Sequence, residues 1–131
     1  MGRPSDISAR PPREQDSVGE CATVMYKAAW YCLKIGNAAE SERLSLRALK
    51  ARRKIMAIDH DKVLSATAMV AEAYRNQGRW EEAERLEEKV METSKTKLGA
   101  DHPSTLTSMA NLAHTYWSQD QRLKAVDLLR G

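Results

Sequence analysis

A block of sequence from Asp59 to Leu98 is written a second time from Asp101 onward. Tyr74 returns as Tyr116, Ala83 as Ala125 and Leu86 as Leu128, each 42 residues later. The connector returns as well, Asp59-His60 as Asp101-His102. Inside each copy the apolar residues recur at helical spacing, and self-similarity at a fixed period of roughly 20–50 residues marks a solenoid of stacked units. One helix pair cannot bury its apolar stripe alone, so it stacks on a copy of itself. The expected architecture is therefore all-α, an α-solenoid of about three antiparallel helix pairs.

The units follow in order. Residues 1–17 carry Pro4, Pro11 and Pro12, several charges, and Ile7 as their one large apolar side chain before Val18. This stretch has no period and is expected to be a disordered N-terminal tail. The repeat domain is expected over 18–131, with units at about 18–56, 61–98 and 103–131, the last one truncated. In the first unit Met25, Ala28, Ala29 and Cys32 share a helical face, Gly36 ends that helix, and Ser41, Leu44, Ala48 and Leu49 form the next stripe. Shifted by 42, this unit agrees with the second at Ala29, Gly36, Glu40, Glu42, Arg43 and Leu44. In the second unit the stripes are Leu64, Thr67, Val70, Ala71 and Tyr74, then Ala83, Leu86, Val90 and Met91. The third reads Leu106, Met109, Leu112, Ala113 and Tyr116, then Ala125 and Leu128. Pro103 suits the first turn of its helix, where a missing N–H costs nothing.

The unit Ala71-x-x-Tyr74-x-x-x-Gly78-x-Trp80-x-Glu82-Ala83 resembles a tetratricopeptide repeat. The extended connector Leu98-Gly99-Ala100-Asp101-His102-Pro103, with Thr105-Leu106 and Ala110-Asn111-Leu112-Ala113, is similar to the kinesin-light-chain-like subtype with a 42-residue period. Among its members the chain most resembles arrays at the C-termini of fungal signalling proteins. The resemblance implies a right-handed superhelix that binds a peptide or protein, as part of a larger signalling or scaffold protein. The first unit departs from the pattern at Cys32, Ala38 and Ser41, and the third at Asp120 and Arg122.

Composition narrows the function classes. The chain of 131 residues is 42% hydrophobic and 30% charged, with a net charge of +3 and both signs interspersed. That balance gives no basic stripe for nucleic acid. There is no run of about 18 apolar residues to span a membrane, and no signal peptide at the start of the chain, so a cytoplasmic setting is expected. Cys21 and Cys32 on one helix would lie roughly 16 Å apart along its axis, too far for a disulfide, and both are expected to be small core residues. His60 and His102 are expected to cap and pack rather than bind metal. His114 has no neighbouring Cys or second His, so a zinc site is not supported. No phosphate-cradling glycine loop is present. Neither catalysis, nor a metal, nor a cofactor is expected.

What remains is surface. In a helical solenoid the first helix of each pair lines the concave side. The expected partner-binding residues are Tyr26, Lys27, Trp30 and Lys34 in the first unit, Met69, Glu72, Arg75 and Asn76 in the second, and Asn111, His114 and Trp117 in the third. Trp30 and Trp117 offer apolar anchors, and Asn111 can hold a peptide backbone with both amide functions. In kinesin-light-chain-like repeats the matching Asn lines the peptide groove, which the resemblance transfers to Asn111 alone. The charged stretch Glu81 to Glu92 and the basic run Lys50 to Lys54 are expected to be solvated. An alternative role is self-association: an apolar strip around Met109, Leu112 and Tyr116, extended by Leu123, Val126 and Leu129, would pair two copies through the C-terminal repeat.

Overall fold

The computed structural model describes residues 10–130, with side chains from Ser17 onward. Six helices follow in order: α1 (Arg10–Lys34), α2 (Ala38–Ile55), α3 (Asp61–Asn76), α4 (Trp80–Leu98), α5 (Pro103–Ser118) and α6 (Arg122–Arg130). Each packs on its sequence neighbour, and α1 also touches α3. This is the stacking expected of a solenoid of helix pairs.

The boundaries have local causes that recur at the 42-residue period. Gly36, Gly78 and Asp120 occupy equivalent turns, and all three have positive φ, at 86°, 76° and 63°. The left-handed conformation closes each first helix, and glycine adopts it without strain. The connectors recur as well. His60 Nδ1 accepts the Lys62 N–H, and His102 Nδ1 accepts the Ser104 N–H, each at 3.1 Å. Both histidines therefore cap the helix that follows, as expected, and Pro103 opens α5. A third recurrence joins the units: Gln77 donates to Glu42 at 2.8 Å and Gln119 donates to Glu84 at 2.6 Å.

Small side chains set the helix spacing. Ala22, Ala29, Ser41, Ser45, Ala48, Ala66, Ala71, Ala73 and Ala83 are fully enclosed. Such residues let helix axes approach to roughly 8–10 Å. Larger groups fill two clusters: Ala29 and Leu33 against Met69, with Tyr26, Ala38 and Leu44 around them, and Met91 with Leu112, Ala113, Tyr116 and Ala125, flanked by Met109 and Leu128.

The structure corrects several expectations. Helix α1 begins at Arg10, within the stretch read as a tail. Pro11 and Pro12 sit in its first turn, where prolines remove no needed N–H; residues 1–9 of that stretch lie outside the described residues. Cys21 is exposed rather than core, and Cys32 is half-buried. Leu106 is exposed, while Thr105 beside it is buried, and Leu112 and Tyr116, expected in an open strip at the C-terminal repeat, are buried against Met91 and Ala125. Within the basic run, Arg52 is buried: its guanidinium lies 4.7 Å from the Tyr26 ring centroid and donates to the Lys62 carbonyl at 2.8 Å.

Candidate functional site

The first helices of the three pairs, α1, α3 and α5, share one side of the stack. Between α3 and α5 lies an open groove of about 350 Å³. Its walls are Ser65 and Ala68 on one side and Ser104, Thr107, Ser108 and Asn111 on the other, with Val90 and Ser94 of α4 below. Five small hydroxyls, the Asn111 amide and the Asp61 carboxylate share the lining with apolar Leu64, Ala68, Val90, Leu98 and Pro103. The hydroxyls and the amide match backbone amides and carbonyls, which need both donors and acceptors.

Of the residues expected to meet a partner, Asn111 lies in this groove, half-buried on its α5 wall. Farther along the same helix Trp117 is 52% exposed, with Arg122 at 5.1 Å over its ring. His114, also exposed, is 3.2 Å from Arg75 Nη1. On α1, Trp30 is 50% exposed and carries Lys34 at 5.2 Å over its ring. Lys27 and Asn76 are exposed, Glu72 is half-buried, and Tyr26 is half-buried beneath Arg52.

Met69 departs from the expectation. It is only 5% exposed and packs on Ala29 and Leu33 of α1. Its helical position matches Asn111 in the next unit. The first unit lays α1 across it, so it belongs to the core.

Arg75 is also less free than the sequence suggests. Its Nε lies 3.0 Å from Glu87 Oε2 on α4. That N–H points off the line to the carboxylate, so the contact is an ion pair without a directed hydrogen bond. Glu87, read as part of a solvated face, is 4% exposed. Thr115 of α5 donates to its other oxygen. Burial pushes the Glu87 carboxyl up to about 7, against the opposing pull of the Thr115 hydrogen bond and the Arg75 charge. At the next residue on each helix the Tyr116 hydroxyl donates to Glu88 at 2.7 Å, and burial, then that bond, raise the phenol. The signal for this seam is a paired change between units: Ser45 and Ala73 in the first junction become Glu87 and Thr115 in the second.

Among the described residues, no three His, Cys, Asp or Glu side chains gather where they could hold a metal ion. No helix there is long and apolar enough to cross a membrane.

Helix pairs stacked with short, repeating turns and no strand among the described residues define an α-solenoid, a class that works through its surfaces. The tetratricopeptide repeat profile matches residues 20–96 and again 64–130. The chain belongs to the tetratricopeptide repeat family, and repeats of this kind are protein–protein interaction modules, typically without catalysis. Among solved structures, a kinesin-light-chain-type protein of nearly identical TPR-like repeats from Podosopora anserina is 28% identical, with a TM-score of 0.73 over 83% of this chain. A second crystal structure of that protein gives a TM-score of 0.72 at the same identity. This chain spans 51% of the length of the first. The TPR domain of Arabidopsis FLU shares the fold, with a TM-score of 0.75 at 14% identity over 86% of this chain and 92% of that domain. No curated protein matches the sequence. The resemblance to kinesin-light-chain-like repeats drawn from the connectors is thus confirmed, and so is the all-α superhelix.

Proposed function

We propose that this chain docks a peptide or protein partner on the face formed by α1, α3 and α5, within a larger cytoplasmic signalling or scaffold protein. The observation that carries this reading is the open groove between α3 and α5, with Asn111 on its wall and the exposed Trp117 beyond. Asn111 supplies both halves of a backbone hydrogen-bond pair, and an exposed Trp supplies apolar area at a solvent-facing site. Replacing Asn111 and Trp117 together by Ala should abolish capture of the partner in a pull-down while the protein's own mass stays fixed. Full retention of capture would refute the reading.

A second reading has its own observation. Leu106, Leu123, Val126 and Leu129 are exposed along α5 and α6, with Leu123 at 81%. A strip of this kind is rarely left open, and a second copy of the chain would cover it. Sedimentation over a concentration series tests this: Leu123→Glu with Leu129→Glu should turn a dimer into a monomer. A wild-type protein that stays monomeric at every concentration would refute it.

A further inference from the structure

A larger groove adjoins the first, and nothing in the reading above uses it. Its walls are α2 and α4 and its floor is α3, with a volume of about 560 Å³. The interior is apolar: Leu49, Val63, Leu86 and Val90. Ile58, in the connector between α2 and α3, hangs over it and is 68% exposed. The equivalent connector residue in the next unit is Ala100, so the fold does not call for an isoleucine there. Leu64 and Val90 line this groove and the α3–α5 groove alike, so the two are separated by side chains one layer deep.

The rim has a sign. Arg53 on α2 and Arg85 and Lys89 on α4 line it, all exposed, and none is in an ion pair among the described residues. Glu88 and Glu92 also line the rim, which leaves three cations against two carboxylates, and Glu88 is turned toward α5, where it accepts from the Tyr116 hydroxyl at 2.7 Å. A trough walled by two helices has the shape that takes a third helix in ridges-into-grooves packing. An amphipathic helix lays an apolar stripe into such a trough and keeps its polar flanks on the rim. The charge of the rim selects acidic flanks. The most exposed apolar helix of this chain, α6, is a poor fit from a second copy, because it carries Arg122, Lys124 and Arg130 against Asp127 alone.

We propose that the groove between α2 and α4 docks an acidic amphipathic helix of a partner protein, with its apolar stripe on Leu49, Leu86 and Ile58 and its carboxylates on Arg53, Arg85 and Lys89. Neither Asn111 nor Trp117 lines this groove.

Two fluorescein-labelled synthetic helices serve as probes. Both carry the same leucine stripe at i, i+3, i+4 and i+7. One has Glu on its flanks and the other has Lys at the same positions. Fluorescence anisotropy should give micromolar binding for the Glu peptide, at least about tenfold weaker binding for the Lys peptide, and weakening with added salt. Ile58→Glu should weaken the Glu peptide by about tenfold or more, as should Arg85→Glu with Lys89→Glu. These side chains are exposed, and circular dichroism should show unchanged helix content in the variants. Asn111→Ala with Trp117→Ala should leave peptide binding intact, which separates this site from the proposed docking face. Equal binding of the two peptides, or no binding, overturns the proposal. Loss of binding in the Asn111 and Trp117 variant overturns it too, by moving the peptide to the other face. So does a wild-type dimer that Ile58→Glu dissociates in sedimentation, which would make a second copy the occupant.

Discussion

Glu87 should make the stability of this solenoid fall as pH rises through a range where most proteins change little. Its carboxyl is raised from 4.5 to about 7 because it is enclosed between α3, α4 and α5. Between those two values the native state holds a proton that the unfolded state has released. Stability therefore falls with rising pH across that window. At roughly 1.4 kcal/mol per pH unit of displacement, the whole effect is about 3–4 kcal/mol, and between pH 5 and pH 8 about 2–3 kcal/mol of it is lost. Glu40 and Glu82 are lowered by their hydrogen bonds to Arg43 and Arg79, so their effect has the opposite sign and falls at more acid pH. Glu87→Gln removes the titration and retains an acceptor for Thr115. Urea unfolding of both proteins at pH 5, 6, 7 and 8 isolates the residue, because every other group cancels in the difference. The wild type should lose about 2–3 kcal/mol relative to the variant between the ends of that series. Parallel pH profiles would show that Glu87 stays ionised throughout, with Arg75 fully compensating its burial.

The remaining predictions concern the frame around that residue. Leu112 is fully buried among Met91, Ala113, Tyr116 and Ala125, so Leu112→Ala should cost about 2–5 kcal/mol in urea unfolding; a loss well under that would place the core elsewhere. Asp120 holds the left-handed turn that glycine holds in the other two units. Asp120→Gly should therefore stabilise by up to about 1 kcal/mol, while Gly78→Ala should destabilise by about 1–2 kcal/mol; the same sign for both in thermal melts would contradict the turn assignment. His60 and His102 act as helix caps, so equimolar zinc should leave the melting temperature unchanged, and a rise of several degrees would assign them to a metal.

The period made the backbone legible. Turns, caps and connectors depend on a few adjacent residues, so Gly36, Gly78, His60, His102 and Pro103 announce themselves wherever they recur. The start of α1 at Arg10 was not legible because residues 10–17 carry no apolar period to mark it. The charged interior was illegible for another reason. Arg52 is buried because Tyr26 on α1 and a carbonyl at Lys62 meet it, and Glu87 because Thr115 and Arg75 do. Those partners come from other helices, and helical spacing along one segment says nothing about them. Met69 failed in the opposite direction: its register fits an open face, but α1 crosses it.

The positions at which the units agree and those at which they differ divide the work between fold and site. Tyr74 and Tyr116, Ala83 and Ala125, and the Glu42–Gln77 and Glu84–Gln119 bonds repeat, and each serves the stacking. The residues that distinguish each candidate surface sit at positions that do not repeat through all three units. Asn111 stands where the earlier units have Met69 and Lys27, and Trp117 where they have Arg75 and Leu33. In the larger groove, Arg85 becomes Asp127 and Ile58 becomes Ala100 one unit later. Glu87 and Thr115 replace Ser45 and Ala73 at one junction only. A partner that reads such positions binds at one register along the stack, although the backbone beneath offers equivalent registers. The non-repeating side chains are thus what gives a repetitive scaffold a defined address for each ligand.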